Sequence, residues 1–112
     1  MRLLKMLLVM LVCAAGPGVA GPLEDGFAAY GKGDYATALR LWPSLAEQGE
    51  VRAQNNLGVM YEKGQGVPQD YAVAMSWYRK AAEQGNATAQ ANLGAMYAHG
   101  RSVPQDYQQA VF

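Results

Sequence analysis

One offset constrains what this chain can fold into. Sliding the sequence against itself by 36 residues lays residues 53–76, AQNNLGVMYEKGQGVPQDYAVAMS, over residues 89–112, AQANLGAMYAHGRSVPQDYQQAVF, with 14 of the 24 positions identical. Composition alone would give roughly one or two. Asp34-Tyr35-Ala36 and Ala46-Glu47-Gln48-Gly49 match Asp70-Tyr71-Ala72 and Ala82-Glu83-Gln84-Gly85 at the same offset. A period of this length marks a repeat array, in which each unit buries its apolar face against its neighbours. The units run over about residues 23–52, 53–88 and 89–112, the last incomplete, making about two and a half repeats.

Each unit reads as two antiparallel helices, so the expected fold class is all-α. In the middle unit Ala53, Leu57, Met60 and Tyr61 recur at helical spacing. Gly64-Gln65-Gly66-Val67-Pro68 ends that helix, because glycine accepts the left-handed cap and proline cannot continue a helix. Asp70 stands at the next N-cap, where its carboxylate also meets the positive end of the helix dipole. Tyr71, Ala74, Met75, Tyr78, Ala81 and Ala82 form the apolar face of the second helix, and Gly85 closes it. Leu93, Gly94, Tyr97, Gly100 and Asp106 repeat Leu57, Gly58, Tyr61, Gly64 and Asp70. A glycine inside a helix costs about 1 kcal/mol relative to alanine, so its return at Gly94 points to close helix packing. In the first unit Phe27, Ala28 and Tyr30 supply the stripe of the first helix. Its Tyr30-to-Asp34 loop is five residues shorter than the Tyr61-to-Asp70 loop, as befits a terminal cap.

The run Leu57-Gly58-x-x-Tyr61-x-x-Gly64-x-Gly66-Val67-x-x-Asp70, followed by Trp77-Tyr78-x-Lys80-Ala81-Ala82-x-Gln84-Gly85, resembles the signature of the Sel-one-like repeat (SLR) family, a relative of the tetratricopeptide repeat (TPR) with a longer inter-helix loop. The resemblance covers roughly residues 23–112. It implies a right-handed α-solenoid of antiparallel helix pairs whose members mediate protein–protein contacts. Ser102 departs from the pattern at the position of Gly66.

Residues 1–20 read as an address. Arg2 and Lys5 precede a ten-residue run without a polar side chain, then Gly16-Pro17-Gly18 breaks it and Gly18-Val19-Ala20 offers small residues to a signal peptidase. A membrane span needs about 20 apolar residues, so a retained anchor is disfavoured. Lipidation at Cys13 is disfavoured by Val12 before it. Without the leader the chain carries seven basic and nine acidic side chains and no cysteine. Such a chain is safe in an oxidising compartment, periplasmic or secreted, and lacks the positive charge that nucleic-acid binding needs.

Catalytic chemistry finds little footing. Gly26 to Lys32 spells G-x-x-x-x-G-K, yet Gly33 stands where a phosphate loop has serine or threonine, and a helical stripe runs through it. His99 has no second histidine or cysteine to share a metal with. Ser44, Ser76 and Ser102 lie outside any G-x-S-x-G. Glu24 and Asp25 read as dipole partners of a helix start, and Asn86-Ala87-Thr88 as a helix cap rather than a glycosylation sequon. No catalytic residue, cofactor or metal is expected.

The polar feature that repeats is an amide run. Gln54, Asn55 and Asn56 precede Leu57, and Gln90 and Asn92 return one unit later. First helices of tandem repeats line the concave surface, so Asn55, Asn56 and Asn92 are candidate peptide-binding residues; the competing reading has these amides tie neighbouring repeats together. The expected function is an exported, non-catalytic scaffold or adaptor for a protein or peptide partner. A small envelope enzyme or small-molecule binder, and an N-terminal piece of a longer scaffold, are the alternatives. The incomplete last unit suggests a fraying helix or end-to-end self-association. Mass spectrometry of the purified protein is expected to find its N-terminus at Gly21; an intact Met1 in a soluble cytoplasmic fraction contradicts export.

Overall fold

The computed structural model describes residues 21–101. The expectations for the leader, Cys13, Ser102, Asp106 and the last helix lie outside those residues. Five helices and no strand stand among the described residues: α1 (Pro22–Gly31), α2 (Tyr35–Glu47), α3 (Val51–Lys63), α4 (Tyr71–Glu83) and α5 (Ala87–Ala98). Each packs against the next in sequence, α3 with α4 most extensively, which makes an all-α array of helix pairs.

The helix starts follow from local polar chemistry. Pro22 opens α1 with Glu24 and Asp25 in its first turn. Asp34 and Asp70, one period apart, accept hydrogen bonds from Thr37 N (3.2 Å) and Val73 N (3.1 Å) at the starts of α2 and α4. Asn86 accepts from Ala89 N at 2.7 Å, so the sequon asparagine caps α5. The Thr37 hydroxyl on Asp34, 2.6 Å away, and then the Thr37 amide hold this exposed carboxyl below its ordinary range. Pro43 sits inside α2, where it withholds one backbone donor. The burial of Trp42 and Ala46 on either side keeps the helix intact.

Two loop glycines answer to geometry. Gly64 caps α3 at φ 69°, a left-handed conformation that costs other residues roughly 1 kcal/mol or more. Gly66 has φ 75°, and a Cβ there would fall 2.8 Å from Tyr35 Cβ. The loop after α3 therefore lies directly on α2.

Burial divides into two clusters. Leu23, Ala38, Trp42, Ala46, Ala53, Leu57 and Met60 fill the space between α1, α2 and α3. Ala74, Met75, Tyr78, Ala81, Ala89, Leu93, Met96 and Tyr97 do the same for α4 and α5. One expectation is corrected here: Ala28 is exposed, and the buried stripe of α1 is Leu23, Gly26 and Ala29, with Phe27 and Tyr30 half-buried. Alanine sits comfortably on either side of a helix, and the rotation of α1 is fixed instead by Gly26 meeting Trp42.

Both cores are locked by a glycine under an aromatic ring. A Cβ on Gly58 would lie 2.5 Å from Tyr78 Cε1, and one on Gly26 would lie 2.1 Å from Trp42 Nε1. Trp42 and Tyr78 are one period apart and fully buried. Gly58→Ala is expected to destabilise the fold by about 1–3 kcal/mol through overpacking, although alanine is the better helix former by about 1 kcal/mol. Urea unfolding checks this as a lower midpoint at unchanged slope.

Candidate peptide-binding face

The repeated amides separate into two sets. Gln54 is only 4% exposed. Its Nε2 donates to Ala46 O (2.9 Å), and its Oε1 accepts from Gln84 Nε2 (2.8 Å), which also donates to Gly49 O (3.1 Å). Gln90, one period later, donates to Ala82 O at 3.2 Å. Each glutamine thus reaches back eight residues to a carbonyl at the end of the preceding helix, adding a second donor to the one from Gly49 N or Gly85 N. These two are structural.

The asparagines are placed differently. Asn55, Asn56 and Asn92, on α3 and α5, are half-buried. Asn92 Nδ2 donates to Asn55 Oδ1 at 3.2 Å, joining adjacent units. That bond leaves the Asn55 amide hydrogens and the Asn92 carbonyl for another partner. The Asn56 side chain makes no hydrogen bond to a described residue. The three candidates are therefore neighbours on one accessible face, two of them committed by only half their capacity.

The rest of the repeat signature is placed by packing. Leu57, Gly58, Tyr78, Ala81, Leu93, Gly94 and Tyr97 are buried; Tyr61 and Trp77 are half-buried; Gly64, Gly66, Asp70, Gly85 and Gly100 lie in the connections. The Lys80 ammonium stands 4.8 Å above the Trp77 ring. Arg79 Nη2 donates to the Tyr97 hydroxyl.

A second set of polar contacts was missed in the sequence. Tyr30 donates to Gln65 Oε1 (2.8 Å), and Gln65 Nε2 donates to the Tyr35 hydroxyl (3.5 Å). One period on, the Arg101 guanidinium bonds Glu62 Oε2 at 2.7 Å and lies 5.3 Å from the centre of the Tyr71 ring. Glu62 Oε1 also accepts from the buried Tyr78 hydroxyl at 2.7 Å. Each post-helix loop thus reaches back onto the tyrosine that opens the preceding unit's second helix. The periodic Tyr35 and Tyr71 were the available signal, but the changed residue, glutamine for arginine, hid the shared role.

The remaining candidates resolve simply. Gly26 to Gly31 are turns of α1, with Gly26 packed on Trp42, so the G-x-x-x-x-G-K string forms no phosphate loop. His99 is exposed, its Nδ1 2.7 Å from Ala95 O. Among the described residues no three His, Cys, Asp or Glu side chains come close enough to hold a metal ion, and no helix is long and apolar enough to cross a membrane.

The Sel1 repeat family model matches residues 51–86 and 87–112. A Sel1 repeat protein from Oxalobacter formigenes has a solved structure that superposes at TM-score 0.74 with 38% identity, over 78% of this chain and 36% of that one. A protective antigen present in uropathogenic Escherichia coli strains, displaying an SLR fold, superposes at TM-score 0.74 with 42% identity, over 80% of this chain and 20% of that one. This chain therefore spans about a third and a fifth of those two proteins. No curated protein matches it in sequence.

Tyr78 gives this face's supporting network a pH signature. Burial first, and then its bond to Glu62, push the phenol well above its ordinary 10.0. The unfolded chain therefore loses that proton before the folded chain does. Stability from this group is complete below about pH 10 and drains away as pH rises beyond it. Urea unfolding is expected to show the advantage of the native protein over Tyr78→Phe shrinking between about pH 9 and pH 11.

Proposed function

The chain belongs to the Sel1 repeat family, and from that premise we propose that it is an exported, non-catalytic module that binds an extended segment of a protein partner across the first helices of its units. Repeat solenoids of this kind generally work by protein–protein contact. The observation that carries the reading is the split among the amides. Gln54 and Gln90 bond the helix ends, so Asn55, Asn56 and Asn92 are not needed for that task and keep unused donors and acceptors at the surface. A peptide backbone in extended form presents the matching alternation of N–H and C=O. Export rests on the leader pattern of residues 1–20.

The double substitution Asn56→Ala/Asn92→Ala is expected to weaken capture of the partner while the helical circular-dichroism signal and melting temperature stay near those of the native protein. Gln54→Ala is the contrasting control. It removes a buried bonded amide and is expected to cost about 1–3 kcal/mol of stability. Pull-down from the exported proteome, quantified beside thermal melts of each variant, checks both. Undiminished capture by the double variant contradicts the reading.

A further inference from the structure

The same face carries a charge pattern that the amides do not explain. Allowing for the five-residue shorter first loop, α1, α3 and α5 share one register: Lys32 is followed by Lys63 after 31 residues and by His99 after a further 36. All three are exposed and sit at the C-terminal ends of these helices. Two bonds show that these ends abut. Tyr30 near the end of α1 meets Gln65 just past α3, and Glu62 near the end of α3 meets Arg101 just past α5.

The charges at this edge are unevenly committed. Glu62 is held by Tyr78 and Arg101, and Asp34 and Asp70 are spent on helix caps. Arg52 is paired with Glu50, and Arg79 and Lys80 lie against Tyr97 and Trp77. Lys63 has no ion pair, hydrogen bond or ring contact with a described residue. Lys32 has Asp34 as a charged neighbour, but that carboxylate is already bonded by Thr37. The His99 Nδ1 contact with a carbonyl requires the proton on that nitrogen, so in the neutral ring Nε2 is an acceptor and offers no donor to a carboxylate. Helix C-termini favour cations in any case; the alignment of Lys32 and Lys63 beside the partly used amides Asn56 and Asn92 is the added observation.

Between the two rows lies a third. Ala28, Val59 and Ala95 occupy the same register on the three helices, small side chains over which a main chain can pass closely. We infer that the partner segment is acidic: an extended peptide whose backbone crosses Ala28, Val59 and Ala95, bonds Asn56 and Asn92, and sets its Asp or Glu side chains on Lys32 and Lys63. This rests on the proposed peptide-binding face and adds the chemistry of its occupant. The complementary carboxylates steer association and fix which way the segment runs.

A random dodecapeptide library displayed on phage, panned on the full purified chain, tests it. Enriched peptides are expected to carry Asp or Glu. A resynthesised, fluorescently labelled example is expected to bind about tenfold more weakly to Lys32→Gln/Lys63→Gln, as two surface ion pairs would give, with a flatter dependence on salt. Melting temperatures of the variants, measured alongside, separate loss of contact from loss of fold. Neutral or basic enriched peptides overturn the inference, as does a peptide lost by Asn56→Ala/Asn92→Ala yet unaffected by the lysine pair; in that second case the face stands without its acidic occupant. Binding indifferent to both pairs, or no enrichment at all, removes the face and the inference together.

Discussion

The array depends on a missing methyl group. Because Gly58 has no Cβ, the Tyr78 ring lies against the backbone of α3 and its hydroxyl reaches Glu62. The second oxygen of Glu62 then takes Arg101, whose guanidinium also covers Tyr71. One close approach therefore leads through a carboxylate to the segment beyond α5, so that helix pairing within a unit and stacking between units share a single chain of contacts. The first unit builds the same lock from other parts. Trp42 replaces tyrosine over Gly26, and its indole N–H donates to Leu23 O at 3.2 Å. An indole has its donor on the ring body and cannot reach outward as a phenol does, so the first unit is joined to the second not through its buried ring but through Tyr30 and Tyr35 meeting Gln65.

The sequence made much of this legible, and the reasons it concealed the rest are specific. The 36-residue offset carried the helix pairs, the Asp34 and Asp70 caps and the left-handed turn at Gly64, and the turn between units carried the Asn86 cap, because each depends on residues within a few positions of one another. The Gly26–Trp42 lock was hidden because Gly26 stands 32 residues before Gly58, one step out of the 31-residue register that the shorter first loop sets, where its counterpart is Leu57. Ala28 was drawn into the core stripe because alanine satisfies an apolar pattern without requiring burial. The reach of residues 65 and 101 across unit boundaries was hidden because sequence periodicity compares positions with their copies, never with the different residue they touch.

The amide run shows where pattern reading stops for a physical reason. Gln54, Asn55 and Asn56 are consecutive, and each step along a helix turns the side chain by about 100°. Their composition is nearly uniform, but one amide is buried beneath α4's last turn and the other two are half-buried. Which is which follows from the rotation of α3, and that rotation is fixed by Gly58 against Tyr78 and by Leu57 and Met60 in the core. The apolar lock therefore decides which polar groups become a surface.

This order of causes bears on which positions are free to vary. Helix ends are served by Gln54, Gln84 and Gln90, caps by Asp34, Asp70 and Asn86, and stacking by Glu62, Gln65 and Arg101. In a nearest-neighbour array those obligations recur in every unit and must be met locally. The outward positions of α1, α3 and α5 carry none of them, apart from the single Asn92–Asn55 bond. Substitutions there leave the lock, the caps and the loop contacts intact, so chemistry at those positions can vary between units of one fold. The three units already differ in this way: the register that holds Asn56 and Asn92 holds Asp25 in the first unit, and the register of Lys32 and Lys63 holds His99 in the third.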